Sequence, residues 1–137
     1  MAANTTPIFS KQTAIQYVST GVSANTAFDG TGTVATVFTA DATNGSKVES
    51  ISLWHLGTNI ATVVRIFVNN GSTNATAANN ALVQEFTMAA NTASQTAASV
   101  PMTWNCNLVL KPGYKINATI GTAIASGVMV CAVGGDY

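Results

Sequence analysis

Histidine occurs once, as His55, so any nucleophilic or acid–base chemistry built on an imidazole would have to use it. His55 follows Trp54 in a strand-like segment, and the nearest acid in sequence, Glu49, lies six residues back. On an extended strand that spacing puts both on one face but roughly 20 Å apart, too far for an acid–base pair. Five carboxylates, Asp29, Asp41, Glu49, Glu85 and Asp136, could in principle supply the paired acid and base of a glycosidase. Nothing in their spacing singles out two of them, and Asp29 and Asp41 sit in turn contexts, where Asp bonds its own backbone. Cys106 and Cys131 fit no zinc or Cys-x-x-Cys pattern. They read first as small buried hydrophobes, with a strand-to-strand disulfide as the alternative in an oxidising compartment. No P-loop, nucleophile elbow, dinucleotide fingerprint or zincin motif occurs. The expectation is a protein that is not an enzyme, with no catalytic residue, no cofactor and no metal site.

The elements that would have to position any site are built from an unusual composition. Charged residues are 7% of the 137 positions, and five Lys and Arg balance five Asp and Glu; ordinary soluble domains carry about 25%. Small polar residues take the place of the missing charge: 20 Thr, 10 Ser and 13 Asn, beside 22 Ala and 11 Gly. A net charge of zero argues against a nucleic-acid partner, which needs clustered Lys or Arg, and against recruitment to anionic membranes. Few charges and no net charge favour association, so the composition points to a subunit of an assembly. The start of the chain, Met1 to Pro7, has neither the basic nor the apolar region of a secretory signal. Ile116 to Gly135 is long enough to span a membrane but alternates as a strand and holds four glycines, so no span is expected.

Helical periodicity is poor throughout, whereas Thr- and Val-rich runs alternate with turn residues at short intervals, the pattern of an all-β sandwich. Residues 1–12 read as an extended N-terminal arm, with Ile8 and Phe9 as docking anchors, and residues 13–137 as a single sandwich domain. About eight antiparallel strands are expected, at Thr13–Thr20, Val34–Phe38, Lys47–Leu56, Ile60–Val68, Ala81–Met88, Ser99–Leu110 (interrupted at Pro101), Tyr114–Ile120 and Ser126–Val133. Asn44-Gly45 is the sequence of a type I′ hairpin, and Lys111-Pro112-Gly113 that of a type II turn. Jelly-roll and immunoglobulin-like strand orders both remain open.

Two strands are apolar on both faces. In the fourth, Val64, Ile66 and Val68 oppose Val63, Arg65 and Phe67; in the last, Val128 and Val130 oppose Met129, Cys131 and Val133. A strand with one wet face should alternate apolar with polar. The second faces are therefore expected to be covered, by a loop or, preferably, by another subunit, which makes Trp54, Val63, Arg65, Phe67, Val128 and Val130 interface candidates together with Ile8 and Phe9. Trp54, Trp104, Tyr17, Tyr114 and Tyr137, amid many Asn, keep glycan binding open as an alternative.

From Lys47 onward the sequence resembles small β-sandwich virion proteins of tailed bacteriophages. The resemblance rests on KVESISLWHLGTNIATVVRIFVNNG (residues 47–71), ALVQEFTMAANTAS (81–94) and LVLKPGYKINATIGTAIASGVMVCAVGGD (108–136). The last carries the turn Leu108, Leu110, Pro112, Gly113, Tyr114, Ile116 and Ala118 before a closing strand that ends in Gly-Gly. The resemblance implies a structural role on the capsid surface, after synthesis in the host bacterial cytoplasm. Of the roles open to such modules, a freestanding capsid decoration (cement) protein is expected before a neck or tail-fibre component. Its implied partners are the major capsid protein and further copies of itself, as a trimer by preference.

Overall fold

Threonine, valine and isoleucine fill the segments that become strands, because β-branched side chains suit a pleated, half-buried surface. The structure, a computed structural model that describes residues 10–137, has nine strands. They are β1 (Gln12–Ser19), β2 (Ala35–Thr39), β3 (Ser46–His55), β4 (Thr62–Asn69), β5 (Asn80–Met88), β6 (Met102–Trp104), β7 (Leu108–Leu110), β8 (Lys115–Ile120) and β9 (Val128–Asp136). The expected strand Ser99–Leu110 is two short ones, because the chain breaks at Asn105-Cys106-Asn107, where Asn107 takes the left-handed conformation (φ 47°). Of the expected arm, residues 1–9 lie outside the described residues; Lys11 N–H donates to Asp136 O and β1 begins at Gln12, so residues 11 and 12 belong to the sheet. Ile8 and Phe9 lie outside the described residues.

One sheet runs β1-β9-β3-β6, with β7 paired to the other end of β3; the second runs β2-β8-β4-β5. All pairings are antiparallel, and they nest: β1 with β9, β2 with β8, β3 with β6 and β7, β4 with β5. Two four-position sheets with this nested order are a jelly roll, in which β6 and β7 share one position. That strand order decides between the two sandwich types. The core between the sheets holds Ile51 and Leu53 from β3, Val128, Val130 and Ala132 from β9, Val64 and Ile66 from β4, and Ile116, Ala118 and Ile120 from β8. Ile116 to Gly135 thus spans β8 and β9, and no helix among the described residues is long and apolar enough to cross a membrane.

Two β-bulges reset which side chains face inward. In β3 the register slips between Val48 and Ser50, so Val48 and Ile51 both reach the core. In β5 it slips at Val83, which places Leu82 opposite Phe67 on the outside while Phe86 and Met88 stay inside. Leu82, which shares a period-two spacing with Phe86 and Met88, is therefore turned to the opposite side of the sheet from them.

Asn44-Gly45 is not a hairpin, because β2 and β3 belong to different sheets. It closes an inter-sheet corner in which Gly45 alone has positive φ (81°). The Asp41 carboxylate nucleates this corner by accepting the backbone N–H groups of Asn44 (2.6 Å) and Thr43 (3.0 Å). Those amides, Asn44 first, hold the Asp41 carboxyl below its ordinary value of 3.8. A lowered folded-state value contributes stability above the ordinary value and loses it as pH falls through the folded one. Thermal unfolding followed from about pH 5 to pH 2 should show this loss below the ordinary value, and Asp41→Asn should reduce it; an unchanged profile in the variant would reject the assignment. The Lys111-Pro112-Gly113 turn is type II as expected, with Tyr114 N–H donating to Lys111 O (3.1 Å) and Gly113 at φ 73°.

Candidate functional site

The two outer faces of the sandwich differ. On the β2-β8-β4-β5 sheet, Arg65, Phe67 and Asn69 of β4 pair with Thr119, Asn117 and Lys115 of β8. Arg65, Phe67, Asn69, Asn117 and Thr119 are nevertheless buried. Their cover is the connection between β1 and β2, residues 20–34. Asn25 anchors it: its N–H donates to Ile120 O, its Nδ2 donates to Thr31 O and Thr33 O, and its own carbonyl accepts from Arg65 Nη1. Phe28 lies over the Arg65 guanidinium, 4.0 Å from ring centroid to Cζ. Gly30 packs so tightly on Phe67 and Asn80 that a Cβ there would come within 3.0 Å of both. Arg65 also holds Glu85 of β5 at 2.9 Å, an ion pair half open to water on the Glu side.

This corrects the expected interface. Phe67 and Arg65 are covered by the chain's own loop, not by another subunit. Val128 and Val130 face the core and are fully buried, so they touch no outside partner. Val63, opposite Thr87, and Trp54 are half-buried on the outer surfaces.

Among the described residues, nothing covers the outer face of the β1-β9-β3-β6 sheet. Register aligns Ile15, Val133 and Ser50 in one row, Tyr17, Cys131, Ser52 and Thr103 in the next, and Ser19, Met129 and Trp54 in a third. None of these ten side chains is charged, and Ile15 and Tyr17 are 64% and 69% exposed. Strand alternation turns them outward because Val128, Val130 and Ala132 point in. Sequence reasoning named Trp54 here, took Val128 and Val130 instead of the opposing Met129, Cys131 and Val133 on the last strand, and left out Ile15. When a strand is apolar on both faces, periodicity alone cannot say which face is the core.

No match to this chain was found among protein-family models, curated proteins or solved structures.

Among the described residues the three central rows of the open face offer hydroxyls, a thiol and apolar surface, with the Lys47–Glu49 ion pair at the edge. Each carboxylate is engaged locally, Asp29 by Thr31, Asp41 by its corner, Glu49 by Lys47 (3.8 Å), Glu85 by Arg65 and Asp136 by Ser46. Among the described residues no three His, Cys, Asp or Glu side chains gather as a metal site would require. Cys106 and Cys131 are free thiols, and burial pushes the Cys106 thiol up. Trp104 packs edge-on against Phe86 (6.3 Å, 62°), which commits it to packing instead of stacking on a sugar.

Proposed function

We propose that this chain is a structural virion protein of the capsid decoration type, docking through the open face of its β1-β9-β3-β6 sheet. The observation that carries the reading is that face: its three central rows are uncharged and rich in apolar side chains, the one ion pair, Lys47–Glu49, sits at its edge, and no described residue covers it, while the opposite face is sealed by the chain's own loop. The jelly-roll order agrees with it, since capsid domains are often jelly rolls; lectins share the fold, so topology alone does not choose. Four strands about 4.8 Å apart and five residues long make a patch of roughly 300–400 Å². A stable interface needs about 800 Å² per partner. Docking by this face alone is therefore weak, and retention on a particle relies on several linked copies binding together, as a homo-oligomer provides. The major capsid protein is the partner in this reading.

The test is occupancy. Hundreds of copies per purified particle support decoration, whereas six or twelve support a neck or fibre role, and absence from particles defeats the virion reading. Tyr17→Asp should abolish particle binding while leaving the melting temperature within about 2 °C, because Tyr17 is mostly exposed. Undiminished binding by this variant would remove the open face from the reading. Glycan-array binding lost with Trp54→Ala would favour a lectin instead.

A further inference from the structure

The hydrogen bonds around His55 determine which ring nitrogen carries the proton. Ser126 N–H donates to Asn59 Oδ1 (2.7 Å), and Asn59 Nδ2 donates to Gly127 O (2.8 Å), so the β8–β9 loop sets the orientation of the amide. The second Nδ2 hydrogen is directed at His55 Nδ1, 3.1 Å away. An amide NH₂ only donates, so Nδ1 is the bare, accepting nitrogen. Nε2 then carries the hydrogen that is donated to Ala89 O at 2.9 Å. Asn59 is buried, with every polar atom of its side chain used. The relay Ser126–Asn59–His55–Ala89 joins the β8–β9, β3–β4 and β5–β6 connections at one end of the sandwich. The β3–β4 loop grips the β5–β6 connection further through reciprocal Asn59–Asn91 backbone bonds (2.9 Å each), Asn91 Nδ2 to Gly57 O, and Ala93 N–H to Thr58 Oγ1.

We propose that this relay is an acid-sensitive latch: protonation of His55 places a hydrogen on Nδ1, sets two donors face to face, and loosens the hold of the β3–β4 loop on the β5–β6 connection. Rotating the Asn59 amide gives no escape, because Oδ1 would then meet Gly127 O and the NH₂ would meet Ser126 N–H. The groups around the ring do not offset the added charge. Val128 pairs with it from β9; Thr87 and Met88 of β5, Ala89, Ala90, Asn91 and Val100 of the connection, and Met102 of β6 share its cleft. None of these is titratable or charged. Glu85, two residues before Thr87, is engaged by Arg65. The ring is half-exposed, so protons reach it. Loosening the connection would widen the cleft of about 300 Å³ that it borders, whose floor is Met88 and Met102.

Amide hydrogen exchange on the full chain tests the latch. After correction for intrinsic exchange, protection of the Asn59 and Asn91 amides should fall about tenfold between about pH 7 and about pH 5, while amides of β1 and β9 hold theirs. His55→Gln should abolish the response. Imidazole ¹⁵N shifts of the wild-type protein should report the Nε2–H tautomer at neutral pH, a readout independent of any variant. An Nδ1–H tautomer, a wild-type response below twofold, or an undiminished response in His55→Gln would each overturn the proposal.

Discussion

Replacing Gly134 by alanine is expected to produce the largest loss of stability of any one-carbon change in the sandwich. A Cβ at this position would collide with Lys47 O and stand 2.8 Å from Val48 Cα. Both neighbours are backbone, in β3 beside its bulge, and Val48 is the residue that Gly134 faces across the ladder. No flexible side chain can move aside, so the methyl must push β9 away from β3 and break pairing at the centre of the sheet. The cost should exceed about 4 kcal/mol, equivalent to a fall in melting temperature of the order of 10–15 °C. Gly113→Ala is the matched control. Its positive φ of 73° carries strain, but open space surrounds it, so about 1 kcal/mol is expected. Equal losses for the two variants by thermal or urea unfolding would refute the close-approach argument.

Arg65→Ala should be the second large effect, because one guanidinium makes three contacts that hold β5 and the β1–β2 connection to β4. It donates to Glu85 on β5, donates to the Asn25 carbonyl and lies under Phe28 of the β1–β2 connection. Gly121 packs against its other side, where a Cβ would come within 3.2 Å of Nη1. Truncation leaves a void beneath the loop and an unpartnered Asn25 carbonyl, for a loss of about 3 kcal/mol. The ion pair itself is the smaller part, since the Glu85 side chain is 46% exposed; Glu85→Gln should cost under about 1 kcal/mol. Arg65→Lys should not rescue, because an ammonium cannot reach both oxygens while lying flat on a ring. Hydrogen exchange in residues 20–34 should rise in Arg65→Ala. Stability within about 1 kcal/mol of wild type, or an unchanged loop, would show that the guanidinium is not its anchor.

Much of the strand inventory was legible from residue types. The β-branched run at residues 60–68 and the alternation in residues 47–56 are local properties, and so is the type II turn at Pro112-Gly113. Those signals failed where the same local pattern serves two tertiary outcomes. Asn44-Gly45 suits a hairpin and an inter-sheet corner alike. Leu82, Phe86 and Met88 share a period-two face until a bulge, invisible in a single sequence, puts Val83 between them. The open face was only partly legible for a related reason. Val128 and Met129 have nearly the same hydrophobicity, so nothing in the strand itself says which of them points inward.

Composition and local pattern by themselves determined an all-β chain, poor in charge, without a recognisable constellation for catalysis and with more apolar strand surface than one sandwich core requires. Tertiary structure alone decided the jelly-roll order and where the surplus apolar surface went. The β1–β2 connection folds over Arg65 and Phe67, while Ile15, Tyr17 and Val133 stay open to solvent. The physical reason is that hydrophobic burial has no direction: it rewards covering apolar area whether the cover is a loop or another molecule. Specific bonds, those of Asn25 and Arg65, made the choice on one face, and the other face has no such tether among the described residues.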